Sequence, residues 1–186
     1  MSRAKIYQRE HVNQLHALPE EYNLVMQGHG GLTFSKVFQT PAKFIVPIGQ
    51  SNPDVLFIDI GTNDLCDHSI IPSVLVEKVF KFLDLLDYFK VKPKCIILLS
   101  VIQRTEITRK GQVSVSTFNH RAKRYNSLLA AKLTNMHPKV QMLSQSRINI
   151  PKYIADGCHL NNDGMLKYVS NVYNQCIKVG NQLDKM

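Results

Sequence analysis

The 186 residues contain no tryptophan, and no apolar run approaches the roughly 18 residues a membrane-spanning helix needs. The opening stretch, MSRAKIYQREHVNQ, lacks the apolar segment of a secretory signal, and Glu10 follows its basic residues too soon for a transit peptide. A cytoplasmic or nuclear protein is the default expectation. Cysteine is sparse: Cys66, Cys95, Cys158 and Cys176 form no CxxC pair and match no zinc-ligand spacing. Reduced, partly buried thiols are expected, and no metal or other cofactor is implied. Acidic residues are few, 14 against 23 lysines and arginines, for a net charge of +9. That balance favours anionic partners through counterion release. The basic residues are spread along the chain, however, and no aromatic-basic RNA-binding motif accompanies them. A solvated basic surface is therefore preferred to a nucleic-acid partner. Repeats, low-complexity tracts and interdomain linkers are absent. No GxSxG elbow occurs either, which closes the α/β-hydrolase route to a serine nucleophile.

What is present is an alternation of apolar runs with amphipathic stretches, the pattern of parallel strands joined by crossover helices. Residues 3–17 read as a polar, modestly amphipathic helix, and 22–27 (YNLVMQ) as a short strand ended by Gly28-His29-Gly30-Gly31. Thr33 can cap a helix over 34–39, broken at Pro41, with a looser apolar turn at 44–48. The strongest strand is 54–60 (DVLFIDI), apolar enough to be covered on both faces. A long helix over 70–90 has Pro72 near its first turn and a core stripe of Val76, Val79, Phe80, Leu83 and Leu86. A second buried strand spans 95–101 (CIILLSV). Ser114 or Ser116 can cap a helix over 117–134, with Phe118 and Tyr125 in the core. A weak strand at 140–143 precedes Asp156-Gly157-Cys158-His159, and Asn162 or Asp163 can cap a last helix to about Val179. The expectation is one α/β domain over 1–186, a three-layer α/β/α sandwich.

Open parallel sheets place their sites beyond the carboxyl ends of the strands. Polar groups cluster at 28–33, at Gly61-Thr62-Asn63-Asp64 and at 156–159. Acyl transfer needs groups of these kinds. A histidine removes the proton of a hydroxyl nucleophile near neutral pH, a carboxylate fixes the histidine tautomer, and amide donors face the developing oxyanion.

These segments also resemble a known family. PDVLFIDIGTNDL is similar to the strand and GTND block of SGNH (GDSL-like) hydrolases, and DGCHLNNDG to their closing D-G-x-H-L-N block. GHGGLT resembles the family's glycine block, and FNHRAKRYNSLL the helix that often precedes the fifth strand. Together the blocks span roughly residues 2–180. Their wording most resembles compact esterase-like domains of invertebrate and fish proteins, some of which accompany retrotransposon open reading frames. The resemblance implies a flavodoxin-like α/β/α fold and metal-free hydrolysis of a small ester or acylated substrate. Carried across, Gly31 and Asn63 would form the oxyanion hole, His159 would be the base and Asp156 its orienting partner. Thr62 and Asp64 would support the loop.

One part of the family pattern is missing. The family opens with a strand ending in Gly-Asp-Ser, whose serine is the nucleophile, and this chain has no such block. Ser2 falls about one helical turn beyond that position, with no strand before it, and Ser100 stands on a strand that brings no nucleophile in the family. A central strand burying roughly four or five apolar side chains at about 1.5–3 kcal/mol each would rival a domain's whole net stability of about 5–15 kcal/mol. A misassigned start or a decayed gene is therefore preferred to direct pairing of the flanking strands. The rival reading is a non-catalytic binding domain on the same scaffold, with a mobile element as its candidate origin. Plainer roles remain open for each residue: a surface position for His159 and for His29, an Asx-turn for Asp156, a turn or cap for Asn63, loop stabilisation for Asp64, and positive φ for Gly30 and Gly31. Cys158 lies too close in sequence to His159 to serve as a nucleophile.

Overall fold

The computed structural model describes residue 25 and residues 27–106, 113–136, 139–145, 148 and 151–183. The expected helix at 3–17 lies outside these residues, as does most of the expected strand at 22–27. The chain divides into two compact units, Met1–Leu32 and Thr33–Met186. In the first, the described residues hold no helix or strand, and a turn at Gly30-Gly31 places Gly31 at φ 66°.

The second unit opens with α1 (Phe34–Gln39), where Thr33 Oγ1 accepts the Lys36 amide at 3.3 Å as the expected cap. α2 (Pro41–Ser51) takes in the stretch expected as a loose turn. Pro41 stands in its first turn, where a missing N–H costs nothing, and so begins a helix instead of only breaking one. Asn52 ends it in the left-handed conformation, φ 43°.

Strands β1 (Val55–Ile58), β2 (Cys95–Leu99) and β3 (Val140–Leu143) form a parallel sheet in the order β1-β2-β3. Val55 pairs with Cys95, and Ile96 with Val140. The helices α3 (Pro72–Tyr88) and α4 (Val115–Met136) cross between successive strands in one direction over the sheet. Right-handed crossovers therefore put both on one face. They pack against each other, with Leu75, Val76, Val79, Phe82, Leu83 and Leu86 buried on α3 and Phe118, Ala122, Tyr125, Leu129 and Leu133 buried on α4. The expected stripes hold, except that Phe80 is half-buried and Phe82 is core. The last helix, α5 (Asn162–Leu183), covers the other face, where Val179 and Leu183 meet Cys95, Ile97, Val55, Phe57 and Leu143. This is an α/β fold with a parallel sheet between helices, lacking the family's first strand among the described residues.

β1 corrects one expectation. All four of its residues are only half-buried, whereas β2 is buried at four of five positions. Among the described residues β1 has β2 on one side alone, so an apolar sequence suited to a central strand stands at an edge. Among the described residues no helix is long and apolar enough to cross a membrane.

Candidate active site

The loop before α5 closes on itself. A 3-10 turn at Pro151–Tyr153 leads into an antiparallel bridge between Ile154 and Leu160, and the Ala155 amide donates to the His159 carbonyl at 2.8 Å. The Asn161 side chain holds both ends: its Nδ2 donates to the Lys152 carbonyl at 2.6 Å and its Oδ1 accepts the Gly164 amide at 2.9 Å. Asn161 is thus the residue capping α5, in place of the expected Asn162 or Asp163. It also ties the loop to the helix. Gly157 fastens the loop to the segment after β2, its carbonyl accepting the amides of Thr105 and Glu106 at 2.9 and 3.0 Å. With φ at 74°, and with a side-chain carbon there colliding with Glu106, Gly157 is required on both counts.

Within this frame Asp156 does two things that the sequence left as alternatives. Its Oδ1 accepts the amides of Cys158 at 3.2 Å and His159 at 2.7 Å, which is the Asx-turn. Its Oδ2 lies 2.8 Å from His159 Nδ1, which is the orienting bond. The side-chain bond to His159 is the largest cause holding the Asp156 carboxyl well below the usual carboxylate range. With Nδ1 engaged, Nε2 is the imidazole nitrogen left to exchange a proton. Both side chains keep roughly half their surface, 55% for His159 and 44% for Asp156, so solvent reaches the pair.

The Gly61–Asp64 block follows β1 as a tight turn, in which the Leu65 amide donates to the Gly61 carbonyl at 3.0 Å. A 3-10 turn, Asp64–Cys66, begins at Asn63, which is half-buried with φ −74° and ψ −30°. Asp64 is buried, and both its carboxylate oxygens lie 3.2 Å from the Phe34 amide at the start of α1. Lys78 of α3 approaches to 3.7 Å and also donates to Ser35 Oγ at 3.1 Å. Burial raises the Asp64 pKa, against the lowering effect of the Phe34 amide and of Lys78. Its expected role in stabilising the loop takes a specific form: Asp64 joins the turn to the helix that follows the glycine block. The carbonyl of half-buried Thr62 lies 3.4 Å from Cys66 Sγ.

Of the residues read from the sequence, the structure joins His159 directly to Asp156. Asn63, Asp156 and His159 belong to the second unit and Gly31 to the first. His29 is exposed, and Ser2 lies outside the described residues. Ser100 is buried, its Oγ accepting the Gln145 amide at 2.7 Å.

Other polar contacts had no sequence signal beyond residue type, because their partners are far apart in the chain. Tyr168 of α5 donates to Asp59 Oδ2 at 2.6 Å. Although Asp59 keeps solvent-exposed surface, the protein around it raises its carboxyl pKa, against the lowering effect of that bond. Arg121 of α4 donates to the carbonyls of Leu65, Asp67 and His68, closing the 3-10 turn. Asn119 and Asn126 sit seven residues apart on one face of α4. Each makes a reciprocal pair of backbone bonds, to Arg104 and to Val101, in the segment after β2.

The fold is similar to that of solved esterases and lipases. A GDSL-like lipase from Bacteroides thetaiotaomicron matches with a TM-score of 0.72 at 15% identity, covering 94% of this chain and 83% of that one. An acetyl esterase serine-to-alanine mutant with an acetate ion matches at 0.67 and 14%, over 89% and 76%. A carbohydrate esterase family 3 protein from Talaromyces cellulolyticus matches at 0.65 and 13%, over 87% and 74%. At these identities the likeness establishes the SGNH, GDSL-like fold. No protein-family model and no curated protein matches the sequence.

Proposed function

We propose that this chain is an SGNH-type ester hydrolase domain whose serine nucleophile is contributed by a segment outside the 186 residues. The observation that carries the reading is the Asp156–His159 pair, with Nδ1 bound to the carboxylate at 2.8 Å and the loop fastened on both sides. In this reading His159 Nε2 takes the proton of a hydroxyl as its oxygen attacks the ester carbonyl. Asp156 keeps the imidazole in the required tautomer and stabilises the imidazolium that forms. The Gly31 amide and the Asn63 side chain donate to the oxyanion, while Thr62 and Asp64 support the turn that presents Asn63. His159 then returns its proton to the leaving alkoxide, and water repeats the cycle on the acyl-enzyme. The fold of the solved esterases supports the substrate class, a small ester or acylated molecule.

The domain would receive a strand ending in Gly-Asp-Ser beside β1, whose outer edge has no partner among the described residues. Two measurements test this. Translation of the DNA ahead of Met1 is expected to give an apolar strand ending in that block; stop codons there overturn the truncated-chain reading. The longer protein is then expected to hydrolyse p-nitrophenyl acetate, with His159→Ala lowering kcat by about 10³-fold or more. An unchanged rate in His159→Ala removes the base assignment. A silent longer protein that still binds anionic ligands favours the non-catalytic binding domain.

A further inference from the structure

Behind the Asn63 turn, Arg104 is 8% exposed and Cys66 is 3% exposed. The Arg104 guanidinium lies over the Phe118 ring at 4.6 Å, and its Nη1 donates to Cys66 Sγ at 2.9 Å. Its Nε is buried without a hydrogen-bond partner. The backbone of Arg104 is held by the two bonds from Asn119, so the side chain enters from a fixed point. Among the described residues no carboxylate pairs with Arg104. The guanidinium cannot shed its proton, and a buried cation without an anion is strongly unfavourable.

We infer that Arg104 and Cys66 form a guanidinium–thiolate pair, which makes Cys66 the cysteine of this chain modified by hydroperoxides and small electrophiles. Ionising the thiol supplies the missing negative charge, and Arg104 Nη1 already points an N–H at the sulfur. Among the described residues the other charged groups around the turn have partners of their own. Asp64 holds Phe34 and Lys78, Asp67 accepts from Ser69 at the surface, and Arg121 donates to three carbonyls. Lys78 and Arg121 favour the thiolate, whereas Asp64 and Asp67 oppose it. The competing state is a neutral thiol donating to the Thr62 carbonyl at 3.4 Å. In the oxidation, the sulfur lone pair attacks one peroxide oxygen and the O–O bond breaks. Hydroxide leaves with the electron pair and is protonated by solvent. Cys66 becomes a sulfenate, oxidised by two electrons, and the peroxide is reduced. The added oxygen lies in the turn that carries Asn63. This inference is independent of the esterase reading.

The test is alkylation of the full chain by iodoacetamide from pH 6 to 8.5, with each cysteine peptide followed by mass spectrometry. An ordinary thiol of pKa about 8.5 gains rate about tenfold per pH unit across most of that range. Cys66 is expected to react at a nearly flat rate, and Arg104→Met to restore the steep rise. Hydrogen peroxide with dimedone is expected to label Cys66 ahead of Cys158 and Cys176, which are more exposed. A tenfold-per-unit rise at Cys66, an unreactive Cys66, or an unchanged profile in Arg104→Met overturns the inference. Should Arg104→Met fail to fold by circular dichroism, the ¹³Cβ shift of Cys66 in the unaltered chain decides: a thiolate position at pH 7 supports the pair, and a neutral-thiol position overturns it.

Discussion

Asp64 and Asp156 both stand in loops, and both accept backbone amides as well as facing a basic side chain. Asp64 is buried, its amide partner lies 30 residues away, and burial pushes its pKa up. Asp156 is half-exposed, its partners lie within three residues, and its pKa is pushed down by the histidine it orients. The buried carboxylate joins two elements of the fold. The exposed one shapes its own loop and holds an imidazole that faces solvent. Hydrogen-bond count does not separate the two; desolvation does.

The comparison can be broken most sharply through activity. If a longer protein supplies the serine as proposed, Asp156→Asn is expected to lower its kcat by roughly 10²–10⁴-fold with little change in Tm, because the tautomer-fixing acceptor is lost and no core is disturbed. A rate within about threefold of the unaltered protein would make Asp156 a turn residue only. Next in size is Asp64→Ala, expected to cost about 2–5 kcal/mol in urea unfolding, since Lys78 and the Phe34 amide lose their acceptor. Asp156→Ala is expected to cost about 1 kcal/mol or less. Equal losses would erase the distinction.

Opposite pH dependences follow. The lowered pKa of Asp156 contributes stability that is present above its unfolded value of about 3.9 and fades as pH falls below it. The raised pKa of Asp64 contributes stability that is present below that value and is lost as pH rises through the folded pKa; Asp59 acts in the same sense. From pH 6 to pH 3 the unaltered chain should therefore lose ground against Asp156→Asn and gain it against Asp64→Asn, by about 1 kcal/mol or less for the exposed residue. Parallel curves would contradict both assignments. The smallest effect is expected from Tyr168→Phe, about 1 kcal/mol, through loss of the Asp59 bond between α5 and the end of β1. A shift beyond about 3 kcal/mol would mark that bond as part of a larger network.

Most of the described elements were legible because their signals are local, the helix at Pro41–Ser51 being the exception. The apolar period of 75–86, the caps at Thr33 and Ser114, and the short span 140–143 all depend on neighbours within a few residues. The Asp156–His159 bond belongs to the same class, at a separation of three. Environment was not legible. DVLFI and CIILL read alike, yet β1 is half-buried with one strand beside it among the described residues, and β2, between two, is buried.

By itself the sequence determined the three described strands, the helices at 34–39, 72–88, 115–136 and 162–183, their parallel alternation and the carboxylate–imidazole pair, since each follows from interactions along a short stretch of backbone. Tertiary structure alone decided that Asp64 is a buried tie to α1, that Asn161 fastens the loop to α5, and that Arg104 meets Cys66 across 38 residues. Such contacts depend on desolvation and on the approach of distant segments. Neither quantity exists until the chain has packed.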